Sequence, residues 1–280
     1  MEGRAFAEGV RSPALMGVVN VTPDSFHPGS RSLDSPHAVS RGISMIGEGA
    51  SIIDIGGEST RPGAMPVSVG DELSRTIPVI EGILDERPDA FISVDTSKPK
   101  VASEALGKGC RMINDVTGAK NEEIIDLIAD AGAEICIMHM KGEPRTMQVD
   151  PGYEDVVSEV CAYLSDRVNV LVEAGIPPSN ILVDPGIGFG KRLEDNIALL
   201  KAGRKIVPRE DVRLLWGVSR KRMFLDLLGR KDSNDRLPGT LGVAASAVCS
   251  GVDILRVHDV LEHADLLKAM TSTIRGPTDE

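Results

Sequence analysis

The chain has 280 residues, 31 Lys+Arg against 42 Asp+Glu, a formal net charge of −11 and 41% hydrophobic residues. The apolar fraction excludes global disorder. The acidic balance argues against nucleic acid, which needs a basic face, and against a polybasic membrane-surface protein. Eight short apolar runs then follow in order: Leu15–Asn20, Ser51–Ile55, Phe91–Asp95, Arg111–Asn114, Glu134–His139, Asn180–Asp184, Val212–Gly217 and Asp253–Arg256. Each is rich in Val, Ile, Leu or Met, as a strand buried on both faces requires.

Helical patterns lie between the runs. Pro36–Glu48 comes first, with Ser35 as its expected N-cap. Asp71–Glu86, Pro99–Lys108, Glu122–Ala131, Tyr153–Ala174, Glu194–Ala202, Lys221–Leu228, Leu241–Ser250 and Leu261–Thr273 follow. Gly109, Gly132, Gly175 and Gly203 suit left-handed caps at helix ends. Eight strands alternating with helices over about 250 residues predict an α/β fold, a (β/α)8 TIM barrel. It is expected as a single domain over residues 13–275, with 1–12 and 276–280 as loose termini. An open doubly wound sheet is the lesser alternative, because no Gly-x-Gly-x-x-Gly follows the first strand.

Cys110, Cys136, Cys161 and Cys249 form no C-x-x-C pair, which predicts buried free thiols in a reducing compartment. Met1–Pro13 lacks the apolar stretch of a secretory leader, and no window is long and apolar enough to span a bilayer. A soluble cytoplasmic protein with no membrane partner is the expectation.

A barrel of this kind builds its site where the strands end. Polar groups collect there: Asn20, then Gly56-Gly57-Glu58 before Arg61, Asp95, Asn114, His139, Asp184, Ser219-Arg220-Lys221, and Arg256 with His258. The strand starts carry few. Asp95, Asn114 and Asp184 offer acceptors and one amide. With Lys221 they suit a flat heterocycle carrying adjacent N–H donors and a carbonyl, since a buried Asp needs donors to answer it. Arg61, Arg256 and His258 suit an anion such as phosphate. Gly56-Gly57 and Gly186-x-Gly188-x-Gly190 are expected to let backbone approach a ligand. His139 lacks a second ligand at metal spacing, so a structural or pocket-wall role is expected.

Eight ordered segments over about residues 15–260 resemble dihydropteroate synthases. They are Met16–Phe26, Asp54–Ala64, Ser93–Pro99, Ile113–Val116, Met138–Met140, Asp184–Lys191, Ser219–Lys221 and Arg256–Asp259. The resemblance implies a TIM barrel that joins 6-hydroxymethyl-7,8-dihydropterin diphosphate to p-aminobenzoate in folate biosynthesis, releasing pyrophosphate. It implies that Asp95, Asn114, Asp184 and Lys221 hold the pterin, with Met138 and Phe189 lining its pocket. Asn20 would bind Mg2+. Asn20, Thr60, Arg61, Arg256, His258 and the backbone at Val257 would serve the diphosphate. Phe26, Arg61, Pro62, Lys221 and Arg222 would frame the p-aminobenzoate. Asp95, Lys221, Arg256 and His258 would be the catalytic group, and a homodimer is implied. Sulfonamides, which imitate p-aminobenzoate, would compete for its site.

The sequence departs from the family after Phe26, where His27-Pro28-Gly29-Ser30-Arg31 replaces a segment closer to Ser-Asp-Gly-Gly. Two other readings share the pterin residues. A methyltransferase acting on methyltetrahydrofolate has no reason to keep Arg61, Lys221 and Arg256-Val257-His258. A non-catalytic paralogue would bind pterins without condensing them.

Overall fold

A computed structural model describes residues 12–21, 34–59, 64–142, 147 and 151–275. Eight parallel strands close into a barrel in sequence order. They are β1 (Ala14–Asn20), β2 (Ile52–Gly56), β3 (Ile92–Asp95), β4 (Met112–Asp115), β5 (Glu134–Met138), β6 (Ile181–Asp184), β7 (Arg213–Trp216) and β8 (Ile254–Val257). Each lies within one residue of its expected bounds. The helices are α1 (Asp34–Gly47), α2 (Val69–Glu86), α3 (Pro99–Gly107), α4 (Glu122–Ala131), α5 (Val156–Glu173), α6 (Leu193–Ala202), α7 (Met223–Leu228), α8 (Leu237–Cys249) and α9 (Val260–Arg275). Among the described residues, no helix is long and apolar enough to cross a membrane.

Several helix starts differ from expectation, each for a local reason. Ser35 lies inside α1 rather than capping it. Ser68 caps α2 by accepting the Asp71 N–H at 3.1 Å, so that helix begins two residues early. Asp155 caps α5, which therefore starts after Tyr153. Pro238 sits in the first turn of α8, where its missing N–H is harmless. Gly132 caps α4 in the left-handed conformation, but Gly203, with φ 53° and ψ −133°, does not adopt it. The cysteines are all free, yet only Cys110 and Cys136 are buried; Cys161 is half-buried and Cys249 exposed.

The strands are buried on both faces because two cores use them. Ile53, Ile55, Val94, Ile113, Ile135, Ile137, Val183 and Leu214 point outward and pack under the helices. Met16, Ile52, Met112, Cys136, Leu182, Leu215 and Ile254 fill the barrel interior. Side chains along a strand alternate with period two. The residue two positions beyond each interior side chain therefore faces inward, one layer nearer the strand ends. Those residues are Val18, Asp54, Asn114, Met138, Asp184, Gly217 and Arg256. Aliphatic filling thus gives way to a polar layer within one pleat.

Candidate active site

The polar layer is joined across the barrel. Strand register places Gly56 beside Asp95 and Asp95 beside Asn114. Arg256 of β8 reaches over to β2 and β3, its Nε donating to Asp54 Oδ2 at 2.6 Å and its Nη2 to Asp95 Oδ2 at 2.8 Å. Asp54 is fully buried and accepts twice more, from Ser93 Oγ at 2.7 Å and Asn114 Nδ2 at 3.2 Å. One carboxylate therefore orients Asn114 and Arg256 together. Asp54 stands in an apolar run with no local partner, and that is the sequence signal by which it can be found.

Burial, strengthened by the neighbouring Asp54 charge and opposed by Arg256, pushes the Asp95 carboxyl up to about 7. Burial also raises Asp184, whose Oδ1 accepts the Gly186 N–H at 2.7 Å. A methyl group at Gly217 would stand 3.3 Å from Asp184 Oδ2, so the glycine keeps that oxygen uncrowded. Lys221 Nζ lies 3.9 Å from the centre of the Phe189 ring. Burial pulls Lys221 down to about 8, against the pull of Asp184 and Asp95. Met138 is buried beside Gly186. Asn114, Met138, Asp184, Phe189 and Lys221 thus follow one another around the mouth from β4 to β7, with Asp95 of β3 and Arg256 of β8 flanking them.

Ser219 links the β7 turn to the end of β8. Its Oγ accepts the His258 N–H at 3.2 Å and lies 3.0 Å from His258 Nδ1. Arg220 holds that turn with φ 56°, a conformation side chains other than glycine avoid. Its guanidinium grips Asp259 with contacts of 2.6 and 2.8 Å. Lys221 therefore closes a turn, and the helix expected from it begins at Met223. Arg222 is exposed at the start of α7. Val257 packs outward into the core, leaving only its backbone for the mouth. Arg256, expected on an anion, has two of its N–H groups on carboxylates, which reduces the free positive field at the mouth.

Asn20 closes β1 half-buried; a methyl group placed on Gly56 would lie 3.7 Å from both Asn20 Oδ1 and Asp95 Cβ. Phe26, His27, Thr60, Arg61 and Pro62 lie outside the described residues. The described residues before and after 60–63 are tied together. Lys98 Nζ bridges Glu58 and Glu72, Glu58 Oε1 accepts the Val67 N–H at 3.0 Å, and Arg75 donates to the Gly57 carbonyl at 2.8 Å. The glycine expectation needs correcting. A methyl group on Gly57 would meet Glu72 and Thr76 of α2, and on Gly186 or Gly190 it would meet the His139 or Lys141 carbonyl. These three glycines are required by the packing of helix and loops. His139 is buried, with Nδ1 facing Lys191 rather than the mouth.

Comparison with known proteins agrees with this architecture. The family described as pterin binding enzyme matches residues 16–258. The dihydropteroate synthase of Escherichia coli (strain K12) is 42% identical over 275 residues, 97% of this chain and 96% of its own. The solved Xanthomonas albilineans dihydropteroate synthase with 4-aminobenzoic acid has a TM-score of 0.88 at 40% identity, covering 95% of this chain and 94% of that one. Dihydropteroate synthase from the same organism in complex with 7,8-dihydropteroate gives 0.84 at 37% identity, with 95% of each chain covered. A neighbour from Yersinia pestis, solved as a sulfonamide drug complex, gives 0.87 at 38% identity. With the barrel, the layered mouth and near-complete coverage in agreement, this chain belongs to the dihydropteroate synthase family of pterin-binding enzymes.

Proposed function

We infer that the chain condenses 6-hydroxymethyl-7,8-dihydropterin diphosphate with p-aminobenzoate to give 7,8-dihydropteroate and pyrophosphate. The observation that carries this is the polar layer of Asp54, Asp95, Asn114, Asp184 and Arg256 standing on an aliphatic floor, beside Lys221. A pterin edge presents adjacent N–H donors and a carbonyl, which paired carboxylates, an amide and a lysine can satisfy together. Phe189 and Met138 offer the apolar flank.

The proposed path breaks the bond between the exocyclic carbon and the diphosphate oxygen first, SN1-like, before the aniline nitrogen attacks. The electron-rich pterin spreads the developing positive charge, and Asp95 and Asp184, when ionised, stabilise it electrostatically. Neutral aniline nitrogen is already nucleophilic, so positioning outweighs a general base. His258, held by Ser219, would face the departing diphosphate with Thr60 and Arg61; Phe26, Pro62 and Arg222 would frame the p-aminobenzoate, where sulfonamides compete. The Asn20 amide oxygen is a hard donor at the mouth and fits Mg2+ when diphosphate oxygens and waters complete the shell. Bound there, the ion supplies charge neutralisation for the leaving group. The assembly we propose is a homodimer. Leu227 and Leu228 of α7 and Leu261 of α9 are large exposed apolar side chains that a second copy would cover. Sedimentation velocity checks this, and a monomer at micromolar concentration would refute it.

Mixing the protein with both substrates and Mg2+, then assaying pyrophosphate and dihydropteroate, tests the function. Pterin binding by calorimetry without product would identify a non-catalytic paralogue instead. Asp184→Asn keeps an oxygen for the Gly186 N–H but removes the charge. Pterin affinity is expected to fall ten- to a hundred-fold, on the order of 1.5–3 kcal/mol for charge-assisted bonds, with little change in fold. Unchanged affinity would mean that Asp184 does not meet the pterin.

The titrations set a pH profile. Asp95 must lose its proton to accept two N–H groups, so kcat/KM for the pterin is expected to rise through about pH 7. Lys221 must keep its proton to donate, so the profile is expected to fall above about pH 8. In Lys221→Arg the cation no longer titrates in this range, and the alkaline limb should disappear. A descending limb unmoved by that substitution would assign it to another group.

A further inference from the structure

Lys191 is buried at 3% exposure beneath the mouth, and the proposed reaction does not use it. Its Nζ lies 3.0 Å from His139 Nδ1, 3.1 Å from the His139 carbonyl, 3.0 Å from the Gly186 carbonyl and 3.1 Å from the Phe189 carbonyl. An ammonium has three N–H donors, so four acceptors at these distances satisfy it fully with one donor shared. None of the four is a carboxylate. Burial, opposed by Asp184, brings Lys191 down to about 7, so the cation present below that pH is held by carbonyl dipoles and one imidazole nitrogen.

Those acceptors come from two loops. His139 follows β5, while Gly186 and Phe189 belong to the segment between β6 and α6. Burial and the adjacent Lys191 charge bring His139 down to about 3, so its ring is neutral and Nδ1 accepts. The same two loops meet elsewhere. The His139 N–H donates to the Asp184 carbonyl at 3.1 Å, and Tyr153 Oη donates to the Gly190 carbonyl at 2.8 Å. Lys191 is the buried cation of this seam, while Lys141 lies exposed over the Tyr153 ring. Two residues before it, Phe189 turns its ring onto Lys221.

We propose that Lys191 is a positioning residue for the pterin pocket: its buried ammonium pins the β6–α6 loop to the end of β5, fixing Phe189 against Lys221 and Met138 beneath it, without touching substrate. This role presupposes the pterin pocket proposed above, so binding and turnover are measured separately. Lys191→Met keeps the length and apolar stem and removes every N–H. The probe is unphosphorylated 6-hydroxymethyl-7,8-dihydropterin, titrated by calorimetry, beside steady-state constants for both substrates. Pterin Kd and the KM for pterin diphosphate are expected to rise about ten-fold, while the KM for p-aminobenzoate stays within about two-fold. A lysine with a merely structural role would lower Tm and leave the pterin Kd of the folded protein unchanged; that result overturns the proposal, as does an equal loss for both substrates.

His139→Phe is the second variant. It keeps a ring edge-on to Tyr163, now 5.0 Å away between centroids, and removes the nitrogen acceptor. Pterin Kd is expected to rise about three-fold, because three carbonyls remain. If Lys191→Met does not fold, this variant decides, and an unchanged Kd overturns the proposal. If wild-type protein binds the pterin but yields no dihydropteroate, the proposed reaction fails while the Kd comparison still settles Lys191.

Discussion

Asp54→Ala is expected to lower kcat/KM for the pterin diphosphate by about three orders of magnitude, roughly 4 kcal/mol of transition-state stabilisation. The substitution removes one acceptor from three groups at once: Ser93 Oγ, Asn114 Nδ2 and Arg256 Nε. Arg256, 21% exposed, loses one of its two carboxylates, and breaking the pair costs at most what a fully buried pair does, about 3–5 kcal/mol. Asn114, freed from its oxygen, no longer has a fixed orientation toward the pterin edge. Asp54→Asn retains an acceptor without the charge, so a smaller loss, about ten- to a hundred-fold, is expected. The pH profile supplies a second reading. The Asp54 charge helps to raise Asp95, so its removal should let Asp95 ionise at lower pH and shift the ascending limb of kcat/KM toward acid. Steady-state kinetics from about pH 5 to 9 checks both. Activity of Asp54→Ala within about three-fold of wild type would show that Arg256 and Asn114 are held by other means.

Gly186→Ala is expected to cost about 4 kcal/mol or more in stability, lowering Tm by on the order of 10 °C, or to prevent folding altogether. Two effects add. The backbone at Gly186 has φ 69°, which disfavours any side chain by about 1–2 kcal/mol. The added methyl group would also lie 1.9 Å from the His139 carbonyl oxygen, a backbone atom that cannot rotate away. Relief requires parting the two loops that Lys191 joins. Gly188→Ala is the control. Its φ is 82°, but its methyl group would meet only the flexible Lys221 side chain, at 3.4 Å. Only the backbone share, about 1–2 kcal/mol, is expected there. Denaturant unfolding of both variants makes the comparison, and equal losses would show that the steric clash relaxes freely.

The strands were legible because each carries its burial in its own composition. A run such as Ile-Leu-Val-Asp at residues 181–184 is apolar until it reaches the mouth, and the aspartate marks the end. Period-two alternation then determines which residues share the interior. Helix starts were less legible where a cap outside the apolar pattern decided them, as at Ser68 and Asp155. The left-handed Arg220, which shortens α7, gives no local sign in a residue type of that size. Of the site, the residues at strand ends could be chosen from the sequence. Their partners were less legible: Asp54 is marked only as a lone carboxylate in an apolar run, while Ser93, one pleat deeper than Asp95, and Lys191, one loop behind, carry no such sign.

The amino-acid sequence by itself determined the repeating strand and helix order, the collection of polar groups at one end of the strands and the chemistry they suit. Tertiary structure alone decided how those groups answer one another. Arg256 and Asp54 are 202 residues apart and meet only because the barrel closes. His139 and Lys191, 52 apart, meet because parallel strands bring successive loops side by side. Periodicity is a local property of the chain, written in every few residues. Neutralising a buried charge is a property of the closed fold, since the partner need only be near in space.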